Sequence, residues 1–474
     1  MLVFLIVFPL IIALCSLVIP WYQVRSWLLP IVSAVHLLLS GMLVLGRFPV
    51  TGDWIGLDAL SQLVLVVTSV LFFGCAVYAV GYLDLRRDRG NQTMVPCLLI
   101  FLAVMTLAIA ARHLGLLWVA VEATTIASAP LIYFNRNRLS IEATWKYLMI
   151  CSVGIALAML GILFIAYAAL GGGTPVSLQF DTLLAQAPQL SKPWLHAGFV
   201  FLLVGFGTKM GLAPLHSWKP DAYGEAPGMI GALLAGGLTS VAFLGVLRGV
   251  QLMAAAGDGG MARQALLGMG LLSLALAAVF MVRQPDIKRL LAYSSVEHMG
   301  LLAIGVGIGG VAAFAAMLHL VNNALTKGCL FLAAGNVQRA YTSKNLAEVR
   351  GAIGALPVSG TLFLAAFLAI TGSPPFGPFL SEFTMLRGIF GGEHYVIGML
   401  VLVLLAMVFI GMGATVLTST QGAPSATTAG FRDRWLLCIS PLGFILLVLI
   451  LGLYIPEPLR EALQRAADLL EVHP

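Results

Sequence analysis

A chain of 474 residues that is 60% hydrophobic and only 10% charged, with a mean hydropathy of +0.99, is excluded from the soluble globular class, whose members carry about 25% charged residues. Its net charge of +6 and pI of about 9.1 do not signal nucleic acid, because no basic cluster with interleaved aromatics accompanies them and cations gathered in membrane loops give the same balance. Cys15, Cys75, Cys97, Cys151, Cys329 and Cys438 are scattered through apolar segments without metal spacing or a disulfide framework, so they read as small core residues.

Apolar runs of about 17–25 residues predict membrane spans at 2–20, 26–46, 57–82, 95–112, 115–134, 145–170, 196–213, 229–252, 264–283, 289–310, 311–335, 357–390, 396–418 and 434–454, fourteen in all. The first run has no basic n-region or small-residue cleavage site and is expected to be retained as a helix. The seventh runs into GFGTKMGLAPLHSWKPDAYGEAP (205–227), where Lys209 lies between glycines and Pro214 follows. The twelfth is too long for one crossing and contains TGSPPFGPF (371–379), which predicts two half-helices joined at a break. Proline and glycine free backbone groups that hydrocarbon cannot satisfy, so both breaks should line a cavity or be buried in protein. From Pro456 to Pro474, Leu459, Leu463, Ala466 and Leu470 recur at helical spacing, predicting an amphipathic helix on the surface or against a partner.

Lysine and arginine in alternate loops divide sixteen to eight, with Arg86, Arg87, Arg89 and Lys219 on the richer side, Arg47 on the poorer, and Lys209 and Lys327 counted as intramembrane. That asymmetry orients both termini away from the cytoplasm, across a cell inner membrane. The two broken spans are five apart. Taking spans four to eight and nine to thirteen as repeats puts a break at the fourth position of each, and an odd offset inverts successive units, which is the pattern that points to a transport site. The expected fold is therefore an all-α polytopic membrane protein with a three-helix segment (1–94), two inverted five-helix repeats (95–252 and 264–418), each with a broken helix, and a last helix with its tail (434–474).

Lys209 at mid-bilayer carries an insertion cost of roughly 2.5–3.5 kcal/mol, so it calls for a partner or a water-filled cavity. Glu122, alone in the apolar run LLWVAVEATTIASAP, is the expected partner; the pair could shuttle protons or be a purely structural buried ion pair. In MLHLVNNALTKGCLF, His319, Asn323 and Lys327 stand at i, i+4 and i+8, which places them on one helix face as a polar stripe roughly 12 Å long. Histidine titrates near neutrality, so such a stripe can hold and pass protons. Glu382 follows the second break. Glu297 and His298 lie in or near span ten and, with Asp221, are the expected residues of an ion entrance. Asp221 and Glu225 follow the first break, at an ion entrance or as solvated loop charges. GVGIGG (305–310) fits a dinucleotide fingerprint but has no preceding strand, and no catalytic triad, nucleotide loop or zinc motif is present, so no cofactor or metal is expected.

With GTKMGLAPLHSWKPDA, DIKRLLAYSSVEHMG, HLVNNALTKGCLFLAAG and GSPPFGPFLSEF on the page, the chain resembles, from about Leu57 to Leu417, the antiporter-like membrane subunits of respiratory complex I, cation/proton antiporter complexes and membrane-bound hydrogenases. GTKMGLAPLHSW and SSVEHMG are most similar to the hydrogenase-4 component F and formate hydrogenlyase type. The resemblance implies fourteen helices, no redox centre, and a place beside other membrane subunits and a peripheral redox arm. It further implies that a glutamate on helix five pairs with a lysine on helix seven, that polar residues on helices eight and eleven continue inward, and that a charged residue on broken helix twelve ends the axis; by motif, Glu122, Lys209, His319, Lys327 and Glu382 take those roles. Three departures stand out. Helix eight, where many relatives have a lysine or histidine, offers only Thr239 and Ser240; Asn323 stands where some have a second histidine; and Lys219 and Tyr223 replace the usual leucine and histidine around the PDA motif. The expected function is a proton-translocating subunit of a hydrogenase-4-like or complex-I-like assembly; the alternatives are a sodium/proton antiporter subunit, a non-conducting membrane anchor of the same kind of complex, and a stand-alone secondary transporter.

Overall fold

The computed structural model describes residues 1–46, 52–425 and 431–471; Arg47 and the last three residues of the predicted tail lie outside the described residues. In chain order the helices are α1 (Leu2–Val18), α2 (Tyr22–Val44), α3 (Ala59–Asp84), α4 (Met94–Ala110), α5 (Leu114–Ile132), α6 (Arg138–Gly171), α7 (Phe180–Gln186), α8 (Lys192–Met210), α9 (Trp218–Glu225), α10 (Gly228–Ala232), α11 (Thr239–Ala255), α12 (Gly259–Met281), α13 (Ile287–Ile308), α14 (Gly310–Tyr341), α15 (Ala352–Ala355), α16 (Pro357–Ile370), α17 (Gly377–Gly391), α18 (Tyr395–Thr420), α19 (Trp435–Leu453) and α20 (Glu457–Asp468). A π-helical turn, Leu233–Leu238, joins α10 to α11 without a stop. Among the described residues, nine helices are long and apolar enough to cross a membrane. Helices α8 and α14 are not among them, because Lys209 on one and His319, Asn322, Asn323 and Lys327 on the other dilute their hydropathy.

Close helix contact rests on small residues, as it does wherever lipid removes the hydrophobic drive between helices. Along α6 and α8 a side chain at Gly161 would strike the Gly198 carbonyl at 2.7 Å, and one at Gly205 the Gly154 carbonyl at 2.6 Å. Helix α14 is the hub of the bundle, touching α3, α10, α13, α16, α17, α19 and α20. The α20 helix lays Leu463, Ala466 and Ala467 against α3 and α14, so its apolar face is used within this chain. Glu471 beyond it accepts from the Gly310 amide (2.7 Å), in the glycine turn where α13 hands over to α14.

Both breaks close in the same way. At the end of α8, Gly211 turns left-handed (φ +84°) and its amide caps Gly207 and Thr208; Trp218 Nε1 donates to the Thr208 carbonyl (2.9 Å) and Ser273 accepts from the Ala213 amide (2.9 Å). At the end of α16, Gly372 is left-handed (φ +68°) and the Ser373 amide returns to Leu368 (2.9 Å). Helix-end carbonyls beside both breaks, and the Ala213 amide, are thus satisfied inside protein, as a broken helix at membrane depth requires.

The charge tally needs one correction. Lys219, counted as a loop lysine, is fully buried at the first turn of α9, and Arg25, Arg248 and Lys288 are buried as well. Each has local partners: Arg25 binds the Ser16 and Ile19 carbonyls and Asn91, Arg248 binds Asp58 and Ser61, and Lys288 binds the Ala226 carbonyl. A cation near a span end that meets such acceptors turns inward.

Candidate functional site: a buried chain of ionisable groups

The first cluster forms where α5, α6 and α8 meet. Lys209 is fully buried, and its Nζ donates to Thr125 Oγ1 (2.7 Å) and to the Tyr147 hydroxyl (2.8 Å), lying 4.7 Å from the centre of that ring. Glu122 is half-buried. Its carboxylate accepts from Ser152 (2.7 Å) and from the same Thr125 hydroxyl (3.2 Å). The expected direct Glu122–Lys209 ion pair is therefore not made; Thr125, one turn after Glu122, stands between them, accepting from the lysine and donating to the carboxylate. Tyr147 passes the contact on to Ser128 (2.6 Å).

The second cluster forms around α14. Lys327 Nζ donates to Ser294 Oγ on α13 (2.7 Å). One turn further along α13 is Glu297, 2% exposed, with Oε2 lacking a hydrogen-bond partner among the described residues. His298 follows. Its Nδ1 is 3.0 Å from His319 Nε2, and His319 Nδ1 is 2.9 Å from Ser381 Oγ on α17. The His298 side chain also lies 3.8 Å from Glu297. The predicted stripe is thus split: His319 and Lys327 reach α13 and α17, whereas Asn323 Oδ1 has no partner among the described residues, and Asn322, outside the predicted stripe, packs its amide where a Gly377 side chain would begin, 2.2 Å from a Cβ there.

Glu382 is buried at the start of α17, with Oε1 lacking a partner among the described residues. Its Oε2 occupies the space that a side chain at Gly372 would need, 2.2 Å from that Cβ position. Lys219 does the same at the other break, its Cε lying 2.1 Å from the position of a Gly211 Cβ. Each break thus reserves the missing side chain of a left-handed glycine for an ionisable group from the following half-helix, a cation in one and an acid in the other.

Nitrogen and oxygen atoms of His298, His319 and Glu382 come within 4.8 Å of one another. The direct contact between the two imidazoles suits a shared proton, since one ring must donate while the other accepts.

Thr239 and Ser240 are buried at the start of α11, but both hydroxyls donate back to the π-helical turn before it, to Ala235 and Gly236 (2.6 Å each). Among the described residues neither hydroxyl hydrogen-bonds to Lys209 or Lys327. Asp221 sits at the edge of the bundle, bridged to Lys146 (2.9 Å) and Arg289 (2.6 Å), and Glu225 to Lys344 (2.6 Å). Both acids are thus held in ion pairs, with side chains 19% and 10% exposed. Tyr147, Thr125 and Lys219 were not singled out as path residues; a threonine at i+3 from Glu122 was the available signal for one of them.

The sequence profile of the transmembrane NADH:quinone oxidoreductase/Mrp antiporter family matches residues 111–409. The chain belongs to this family. Over 98% of its length it is 33% identical to 99% of the hydrogenase-4 component F homolog of Methylacidiphilum infernorum. Its fold is similar to a chain of the archaeal membrane-bound sulfane sulfur reductase (TM-score 0.88, 22% identity, 99% and 98% of the two chains). It is also similar to a chain of the Mrp complex from Dietzia sp. (TM-score 0.87, 18% identity, 99% and 97%). As a member of the antiporter family it is a multi-pass integral membrane protein, and both clusters lie inside the matched region, since Glu122 and Glu382 fall within residues 111–409.

Proposed function

We propose that this chain is the proton-translocating antiporter-like subunit of a hydrogenase-4-like or complex-I-like membrane oxidoreductase. The observation that carries the reading is the pair of clusters seated at the two helix breaks, Glu122–Thr125–Lys209–Tyr147 on one side and Lys327–Ser294 with Glu297, His298, His319 and Glu382 on the other. Carboxylates, amines and imidazoles joined through hydroxyls can bind and release protons in turn, and buried ionisable residues in membrane helices cluster on ion pathways.

In this reading the chain crosses the membrane fourteen times with both termini outside the cytoplasm, residues 95–252 and 264–418 are inverted repeats between the three-helix segment 1–94 and the tail segment 434–474, and a peripheral redox arm supplies the driving reaction. The like construction of the two breaks supports the repeats. A second reading, a non-conducting anchor of the same kind of complex, draws support from α11, where Thr239 and Ser240 turn their hydroxyl protons to their own backbone. The experiment is proton uptake by inverted vesicles carrying the whole complex. Lys209→Met should abolish uptake at unchanged yield of the complex; uptake equal to the parent's favours the anchor.

A further inference from the structure

The departures at helix eight and at the PDA motif become one observation once the side chains are located. Nothing on α10 or α11 supplies a basic group between Lys209 and Lys327, yet a third lysine occupies the interval. Lys219 is 0% exposed. Its alkyl chain folds back from α9 across Gly211, two residues past Lys209, with Nζ 2.6 Å from the position of a Cβ on that glycine. From there Nζ donates to Ser295 Oγ on α13 (3.1 Å). The neighbouring residue, Ser294, accepts from Lys327.

Aromatic rings wall this interval. Trp218 packs on Tyr147, the acceptor of Lys209, with ring centres 5.1 Å apart, and the Tyr223 ring centre is 5.8 Å from the Lys219 ammonium. Tyr223 and Trp218 also meet edge to face. None of the ion pairs among the described residues includes Lys219, so no acid in the pattern explains why an amine is kept at this depth.

We propose that Lys219 is the relay base between the two clusters, doing from the first broken helix what a helix-eight lysine or histidine does in relatives. The inference rests on the proton-translocation reading. An amine can hold the excess proton that the Thr239 and Ser240 hydroxyls cannot. In each transfer one N–H bond breaks at the donor ammonium and one forms at the acceptor amine, first from Lys209 to Lys219 through intervening water and then from Lys219 to Lys327, where the Ser295 and Ser294 hydroxyls that accept from the two lysines each take up one proton as they release another. No electron carrier is needed. The left-handed Gly211 fits this role, since only a residue without Cβ leaves the lysine its channel across the break.

The test is proton uptake by inverted vesicles containing the whole complex, with the yield of the complex on native gels beside it, for Lys209→Met, Lys219→Met and Lys219→Arg. The arginine variant keeps the cation but does not release a proton near neutral pH, so it separates relay from structural support and covers the case in which methionine lowers assembly. The expected result is assembly at the parental level for Lys219→Arg with uptake at least tenfold below the parent, and loss of uptake in both methionine variants. Parental uptake in Lys219→Arg, with none in Lys209→Met, overturns the relay while leaving translocation intact. Parental uptake in all three overturns both.

Discussion

Thr125→Val removes one hydroxyl from the middle of the first cluster and almost nothing else, because valine has the volume and branching of threonine. In the parent that hydroxyl accepts from Lys209 at 2.7 Å and donates to Glu122 at 3.2 Å. A hydrogen bond to a charged group contributes about 1.5–3 kcal/mol, and a tenfold change corresponds to about 1.4 kcal/mol, so transfer between Glu122 and Lys209 should slow by about one to two orders of magnitude. Lys209 keeps Tyr147 as an acceptor, so assembly should survive. The assay is the initial rate of proton uptake by inverted vesicles, normalised to complex content, with Thr125→Ser as the control that restores the hydroxyl. If Glu122 and Lys209 communicated as a direct ion pair, the valine variant would pump at the parental rate, and that result would refute the relay through Thr125.

Glu122→Gln should abolish uptake, whereas Glu122→Asp should keep part of it, because a shorter carboxylate still titrates; equal rates for the glutamine variant and the parent would leave Glu122 a purely structural role. Gly372→Ala places a non-glycine residue in the left-handed region, which costs about 1–2 kcal/mol, and pushes the Glu382 carboxylate from its seat; a thermal melt of the purified complex should show a modest fall beside a larger loss of uptake, and uptake at the parental level would show that the seat is irrelevant to transport. Cysteine labelling from each side of the membrane should find the Arg86–Arg89 loop facing the cytoplasm and α20 facing away. Labelling of both from one side is incompatible with fourteen crossings.

What the sequence made legible were features carried by a single segment. Pro214 and the pair Pro374–Pro375 announced the breaks, and four-residue spacing put His319 and Lys327 on one face of what became α14. Features that depend on how two helices are rotated against one another were not legible, because a helix such as α14 is buried along nearly its whole length and no water-facing side fixes its orientation. Hence Thr125 was passed over in favour of a direct ion pair, and Tyr147 and the His298–His319 contact had no signal in either segment alone. Lys219 misled for a different reason. A lysine after a Gly/Pro break, next to PDA, has the composition of a loop, and only the return of the chain across Gly211 shows that it points inward.

The two left-handed glycines also set the mechanics of the molecule. Glu382 is the sixth residue of α17, so at 1.5 Å rise per residue its backbone stands roughly 8 Å along the half-helix, while its carboxylate reaches back into the Gly372 turn. Swinging that half-helix by about 10° about its first turn would carry the Glu382 backbone on the order of 1.4 Å and draw the carboxylate from its seat beside Gly372. Lys219 rides a much shorter arm, in the first turn of α9, and the same swing would scarcely move it. A push transmitted sideways along the membrane would therefore unseat Glu382 first and leave Lys219 in its place across Gly211.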